Sequence, residues 1–203
     1  MTVGILDYDA GNLTSVENAL QHLGSRWILS GNPSDLKDCD RLIFPGDGHA
    51  ATSMENLRAR GLDALLAEFV QRGRPVLGIC VGSQIVLDSS EEGAASCLGL
   101  IPGTCRLLPG GPGLKVPHMG WNTVHFEQNH PLVAGVPQDS AFYFVHSYYT
   151  VPHASVPVLG TTDHGLRFTV GFVKDTLATW QFHPEKSGEP GLRLVENFLK
   201  WRP

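Results

Sequence analysis

In the stretch Pro75-Val76-Leu77-Gly78-Ile79-Cys80-Val81-Gly82-Ser83-Gln84, a single cysteine divides two patterns. Pro75 to Ile79 is a short apolar run that follows the breaker Gly73 and reads as a strand. Val81 to Leu87 reads as a helix. Cys80 thus stands at a strand-to-helix junction between Gly78 and Gly82, the G-x-[S/C]-x-G arrangement of a nucleophile elbow. A turn this sharp strains the backbone of the nucleophile, so the residues on either side must be small. A thiol there lies at a helix N-terminus, where partial positive charge and free N–H groups favour thiolate and can hold an oxyanion. Taken alone, the pattern describes equally well a small buried cysteine beside two turn glycines, and the chemistry needs a base.

The best candidate for that base lies in Gln181-Phe182-His183-Pro184-Glu185-Lys186, just after a predicted strand. An imidazole near Cys80 takes the thiol proton and later delivers it to the leaving amine, and a carboxylate two residues on orients the ring. The order is Cys80, His183, Glu185. The chain has nine histidines, and His125, His130, His153 and His164 read as surface or hydrogen-bonded core residues.

Outward from the elbow, the first half alternates strand and helix. Val3 to Tyr8 is a predicted strand ending in a turn at 9–11. Val16, Ala19, Leu20 and Leu23 then mark a helix with Asn12 or Thr14 as cap and Gly24 as its stop. Arg41 to Phe44 is a second strand, punctuated by Pro45-Gly46-Asp47-Gly48 and followed by a polar stretch. Leu57 to Val70 is a predicted helix. This alternation argues for an α/β fold, a largely parallel doubly wound sheet with helices on both faces. The segment from 89 to 120 reads as loop with short strand fragments, Gly110-Gly111-Pro112-Gly113 as a turn. The second half turns β-rich, with strands at 122–126, 141–146 and 156–161 and a hairpin of 169–173 with 176–182, before a closing helix at 192–201.

A chain of 203 residues fits one domain, taken as 1–203. The 42% hydrophobic and 17% charged composition excludes a disordered chain. No apolar run approaches the roughly 20 residues of a membrane helix, and the N-terminus lacks the basic region of a secretory signal, so a cytoplasmic protein is expected. The net charge of −5, with scattered Lys and Arg, argues against nucleic acid and leaves a small molecule or a protein as partner. Cys39, Cys80, Cys97 and Cys105 form no C-x-x-C pair and read as thiols. Neither metal-ligand spacing nor a G-x-x-x-x-G-K-[S/T] loop is present, and no cofactor is expected.

With both motifs on the page, the sequence resembles the class I glutamine amidotransferases: Gly78-Ile79-Cys80-Val81-Gly82-Ser83-Gln84 is similar to their G-x-C-x-G-x-Q and His183-Pro184-Glu185 to their H-P-E. Within that class, Lys115-Val116-Pro117-His118-Met119-Gly120-Trp121-Asn122, Tyr143-Phe144-Val145-His146-Ser147-Tyr148-Tyr149 and Gln181 to Ser187 resemble the glutaminase subunits of imidazole glycerol phosphate synthases. The resemblance runs over nearly the whole chain. It implies the class I amidotransferase fold, with extra strands in the C-terminal half, and hydrolysis of glutamine to glutamate and ammonia. The ammonia passes to a (β/α)₈-barrel cyclase subunit, which makes imidazole glycerol phosphate and aminoimidazole carboxamide ribotide in histidine biosynthesis. It further implies Cys80 as nucleophile, His183 as general acid/base and Glu185 as its orienter, with Gln84, Glu92, Ser147 and Tyr148 binding glutamine. The backbone of Val81 and of the Asp47-Gly48 segment would form the oxyanion hole. Asn12, His118, Trp121, Tyr143 and Lys186 match positions on the face toward the cyclase.

Two positions depart from the family pattern. Asp47 stands where an apolar residue is common; pointing inward, it would oppose the negative charge of the tetrahedral intermediate, and it is expected to point away. Ser83 stands where Met or His is more usual. Two other readings stay open: a catalytically silent interaction subunit, motivated by Asp47, and a stand-alone Cys-His hydrolase.

Overall fold

The structure, a computed structural model, describes residues 1–203 apart from 10 and 112. The turns expected at 9–11 and 110–113 each include one of these two, which lies outside the described residues. The first half runs β1 (Thr2–Leu6), α1 (Leu13–His22), β2 (Arg26–Ser30), α2 (Pro33–Leu36), β3 (Arg41–Gly46), α3 (Ala50–Arg60), α4 (Leu62–Gln71), β4 (Val76–Cys80) and α5 (Val81–Ile85). The second half contributes β5 (Ser89–Ser90), β6 (Ala95–Ser96), β7 (Gly103–Leu107), β8 (His118–Thr123), β9 (His125–Phe126), β10 (Ala141–His146), β11 (Tyr148–Pro152), β12 (Val158–Asp163), β13 (Arg167–Lys174), β14 (Leu177–Trp180) and α6 (Gly188–Lys200).

Strands β2, β1, β3, β4 and β14 lie side by side and parallel. Residues of β1, β3 and β4 are buried almost throughout, as a parallel sheet covered on both faces requires. The β1–α1–β2 crossover and the β3–α3–α4–β4 crossover run in opposite directions along the sheet, so right-handed connections put their helices on opposite faces. The reversal between β1 and β3 opens a crevice at the carboxyl ends of these strands, where ligands bind in such sheets. Cys80 ends β4 beside it, in register with Gly46 of β3.

Past β14 the sheet continues antiparallel through β13, β11 and β7, with β12 also on β13, while β8 and β10 form a separate two-stranded sheet. At the other end of the chain, α6 buries Leu194, Val195, Phe198 and Leu199. The buried Arg41 guanidinium bonds the carbonyls of Phe198 and, at 3.4 Å, Trp201, placing a cation at the helix C-terminus.

The single helix expected over 57–70 is two, and the polar stretch before it is helical. Gly61, at φ +69°, caps α3 in the left-handed region and starts α4. Helix α3 buries Ala50, Ser53, Met54 and Leu57, a helical face built largely of small side chains and therefore faint in an apolar pattern. The edge strand β2 and strand β11 carry no clear alternation and were not expected.

Candidate active site

Cys80 has φ +56°, a region that side-chain-bearing residues rarely occupy. What holds it there is close packing of the flanking glycines. A Cβ on Gly78 would lie 2.7 Å from the Gly82 carbonyl oxygen, and one on Gly82 would run into the carbonyl oxygen of Phe44 on β3. Ser83, fully buried, donates its hydroxyl to the Cys80 carbonyl at 2.6 Å and fastens the first helical turn to the elbow. Gly82→Ala is expected to destabilise the fold by about 3 kcal/mol, the overpacking scale for a clash with main chain. Urea unfolding checks this, and a loss under about 1 kcal/mol would mean β3 can yield.

His183 follows β14, which pairs with β4 and so carries the imidazole to the elbow. Its Nδ1 lies 2.7 Å from Glu185 Oε1, and the two side chains are 5% and 3% exposed. Glu185 Oε2 and His183 Nε2 are buried without a hydrogen-bond partner, so each charge rests on the other. Burial disfavours the imidazolium, but the interactions with Cys80 and Glu185 outweigh it and push the His183 pKa up to about 10.

These residues open onto a cavity of about 280 Å³ lined by Asp47, Gly48, Cys80, Val81, Gln84, Glu92, Pro117, Val145, His146, Ser147, Tyr148 and His183. All the residues singled out for the nucleophile, the oxyanion hole and glutamine binding line it, with Glu185 behind His183. The volume suits a free amino acid. Gln84 donates to the Tyr148 carbonyl at 3.0 Å and to Gln181 Oε1 at 3.1 Å, which leaves its own carbonyl to accept from a ligand. Glu92 accepts from the Ala50 N–H at 2.7 Å, at the start of α3, directly after the Asp47-Gly48 segment. Just before that segment, at the end of β3, the Pro45 carbonyl accepts from the Tyr8 hydroxyl at 2.7 Å. Asp47 turns its carboxylate to the loop after β1, where Oδ1 accepts from the Gly11 N–H at 2.7 Å.

The residues expected on a partner face separate into two groups. Trp121 is 61% exposed and sits opposite Tyr143 across the β8–β10 pair, with ring centroids 6.1 Å apart. Asn12 is exposed and caps α1 by accepting from the Ser15 N–H, and Lys186 is half-buried next to Glu185 in the chain. His118, by contrast, is only 4% exposed and lies beneath this face rather than on it. Met119, 64% exposed, adds to the apolar patch and was not singled out from the sequence. Gln181, whose amide points to Cys80 Sγ at 4.0 Å, and Tyr8, whose hydroxyl bonds the Pro45 carbonyl, were missed as well; nothing local marks them, because each follows a strand whose place in the sheet sets its neighbours.

The family model described as "Glutamine amidotransferase class-I" matches residues 4–201. A relative from Dehalococcoides mccartyi (strain CBDB1), imidazole glycerol phosphate synthase subunit HisH, is 44% identical over 98% of this chain and 96% of its own length. The subunit of the same name from Desulfovibrio desulfuricans is 46% identical over 98% of this chain and 94% of its own. Among solved structures, PurLQS from Thermotoga maritima is similar with a TM-score of 0.75 at 19% identity, covering 98% of this chain and 97% of that one. A glutamine amidotransferase crystal structure has the same TM-score at 21% identity, with the same coverage. At those identities the two structures speak for the fold alone.

Proposed function

Because the chain belongs to the class I glutamine amidotransferases, and within them to the HisH subunits of imidazole glycerol phosphate synthase, we propose that it hydrolyses glutamine and hands the ammonia to a cyclase subunit. The observation that carries this reading is the buried His183–Glu185 pair set beside Cys80 on a strained elbow, at the mouth of a cavity sized for one amino acid.

In this mechanism Cys80 Sγ attacks the side-chain amide carbon of glutamine. The oxygen takes up negative charge and is held by the Val81 N–H and a donor from the Asp47-Gly48 segment. His183 Nε2 gives a proton to the departing nitrogen, which leaves as ammonia while a thioester forms on Cys80. Water then attacks the thioester, His183 takes its proton, and glutamate leaves with the thiol restored. Glu185 keeps the ring oriented and stabilises the imidazolium. Gln84, Glu92, Ser147 and Tyr148 hold the amino-acid end of the substrate. The chain works as one domain, in the cytoplasm, in histidine biosynthesis. Asp47, turned to Gly11, keeps its charge off the oxyanion, which favours an active enzyme over a silent subunit.

Glutamate release by the purified chain, measured alone and with a cyclase subunit and its nucleotide ligand, tests this: a large stimulation is expected. A stable complex with no glutamate released would support the silent-subunit reading, and a rate indifferent to any partner the stand-alone hydrolase. The partner face is read as Trp121, Met119 and Tyr143 with Asn12 and Lys186. Trp121→Ala is expected to weaken the complex by about 30-fold, the roughly 2 kcal/mol of a tryptophan hot spot. Titration calorimetry reads it, and unchanged affinity would move the interface elsewhere.

A further inference from the structure

Outside the triad, a pair of buried imidazoles is held by hydrogen bonds on both rings. His118 on β8 and His146 on β10 sit opposite each other, 4% and 6% exposed. His146 Nδ1 lies 2.8 Å from the Tyr148 carbonyl, which only accepts, so the proton of His146 is on Nδ1. Its Nε2, 3.0 Å from His118 Nδ1, is then the acceptor, and His118 donates through Nδ1. His118 Nε2 in turn accepts from the Asn122 side-chain amide at 3.2 Å. Every proton is assigned, and all point one way, from Asn122 to Tyr148.

Both rings are neutral in this arrangement. Burial first, then the neighbouring His164, holds the His118 pKa down to about 4, and burial holds that of His146 down to about 3 despite its bond to Tyr148. His164 stacks on His118 with centroids 4.2 Å apart, and Phe144 covers the same ring at 4.6 Å. The chain ends where substrate recognition begins. The Tyr148 carbonyl takes a second donor, Gln84 Nε2, at 3.0 Å, so the imidazoles and Gln84 share one acceptor. It starts at Asn122, next along β8 from the exposed Trp121.

We propose that His118 and His146 are positioning residues for the glutamine site: their one-directional hydrogen-bond chain fixes the Tyr148 carbonyl, which in turn sets the Gln84 amide, and links the exposed strand β8 to the pocket. The identity of the ligand rests on the glutaminase reading; the chain itself does not.

Two measurements test it. Proton–nitrogen correlation spectra of the histidine side chains in the full chain should show His118 and His146 both as neutral Nδ1–H tautomers, unchanged between about pH 5 and 9, the window in which an ordinary histidine titrates. An Nε2–H tautomer at either position, or titration in that window, overturns the chain irrespective of any enzymatic activity. With the cyclase subunit present, His146→Phe should raise the glutamine KM about tenfold, the effect of losing one buried hydrogen bond, with kcat changed less than about threefold. His146→Asn, whose amide can replace the Nδ1 donor, should restore KM to within about threefold of the parent. An unchanged KM in the Phe variant, or equal defects in the Phe and Asn variants, overturns the positioning role. If the Phe variant does not fold, the tautomers of the unaltered chain decide.

Discussion

Cys80→Ala is expected to abolish glutamate release, by about four orders of magnitude or more, while leaving the fold and the partner complex intact. The loss is large because the thioester route needs a nucleophile at this point of the cavity and no other thiol can serve. Burial raises the Cys39 thiol, pushes that of Cys97 up to about 11 and Cys105 further still, and none of the three lines the cavity. The fold should survive the change, because the hydrogen bonds of Sγ are long, 3.9 Å to the Val145 carbonyl and 4.0 Å to Gln181, and the main loss is the interaction with Cys80 that helps raise the His183 pKa. An alanine keeps the strained φ and the short bond from Ser83. Glutamate release in the reconstituted complex, with thermal unfolding alongside, measures both. Residual turnover within about tenfold of the parent would remove Cys80 from the mechanism.

Glu185→Gln should cost about 10³–10⁴-fold in kcat and move the alkaline limb of the pH profile downward, by analogy with the carboxylate of other nucleophile–imidazole–acid triads. The sign follows from the raised pKa of His183. An imidazolium held to about 10 in the folded protein, against an ordinary 6.5, contributes stability that is fully present below the ordinary value and is lost as pH rises through about 10. The same proton is the one delivered to the leaving nitrogen, so activity should fall over the upper part of that window. Removing Glu185 takes away one of the two groups that raise the pKa and leaves burial, which lowers it, with less opposition. The variant should therefore lose activity at lower pH and show weaker pH dependence of stability above neutrality. A kcat/KM profile of both proteins tests this; coincident alkaline limbs would mean Glu185 does not govern the imidazolium.

Part of the site was legible because it is written locally. Gly78, Cys80 and Gly82 announce the elbow through short-range sterics, and His183 and Glu185 are close enough in sequence for one to orient the other. Helix α1 was legible for the same reason, and of its two candidate caps, Asn12 and Thr14, the structure uses Asn12. Helix α3 was not, because its buried face is made of Ala50 and Ser53 as much as Met54 and Leu57, and small residues leave a weak apolar period. Strand β11 was missed because its partners β7 and β13 are distant in sequence and its own residues alternate poorly.

By itself, the sequence determined the α/β class, the elbow at Cys80 with the imidazole and carboxylate proposed to serve it, and, through resemblance, the family. These follow from periodicity and from motifs whose spacing is set by one turn of chain. Tertiary structure alone decided which way Asp47 points, that His118 is buried rather than exposed beside Trp121, that Gln181 reaches Cys80, and that Tyr8 holds the Pro45 carbonyl. It also decided the direction of the hydrogen-bond chain from Asn122 to Tyr148. Each of these depends on a neighbour supplied by another strand or loop. A carboxylate or an imidazole takes its role from the donor, acceptor or charge that faces it, and only sheet pairing and the packing of loops on the sheet choose that partner.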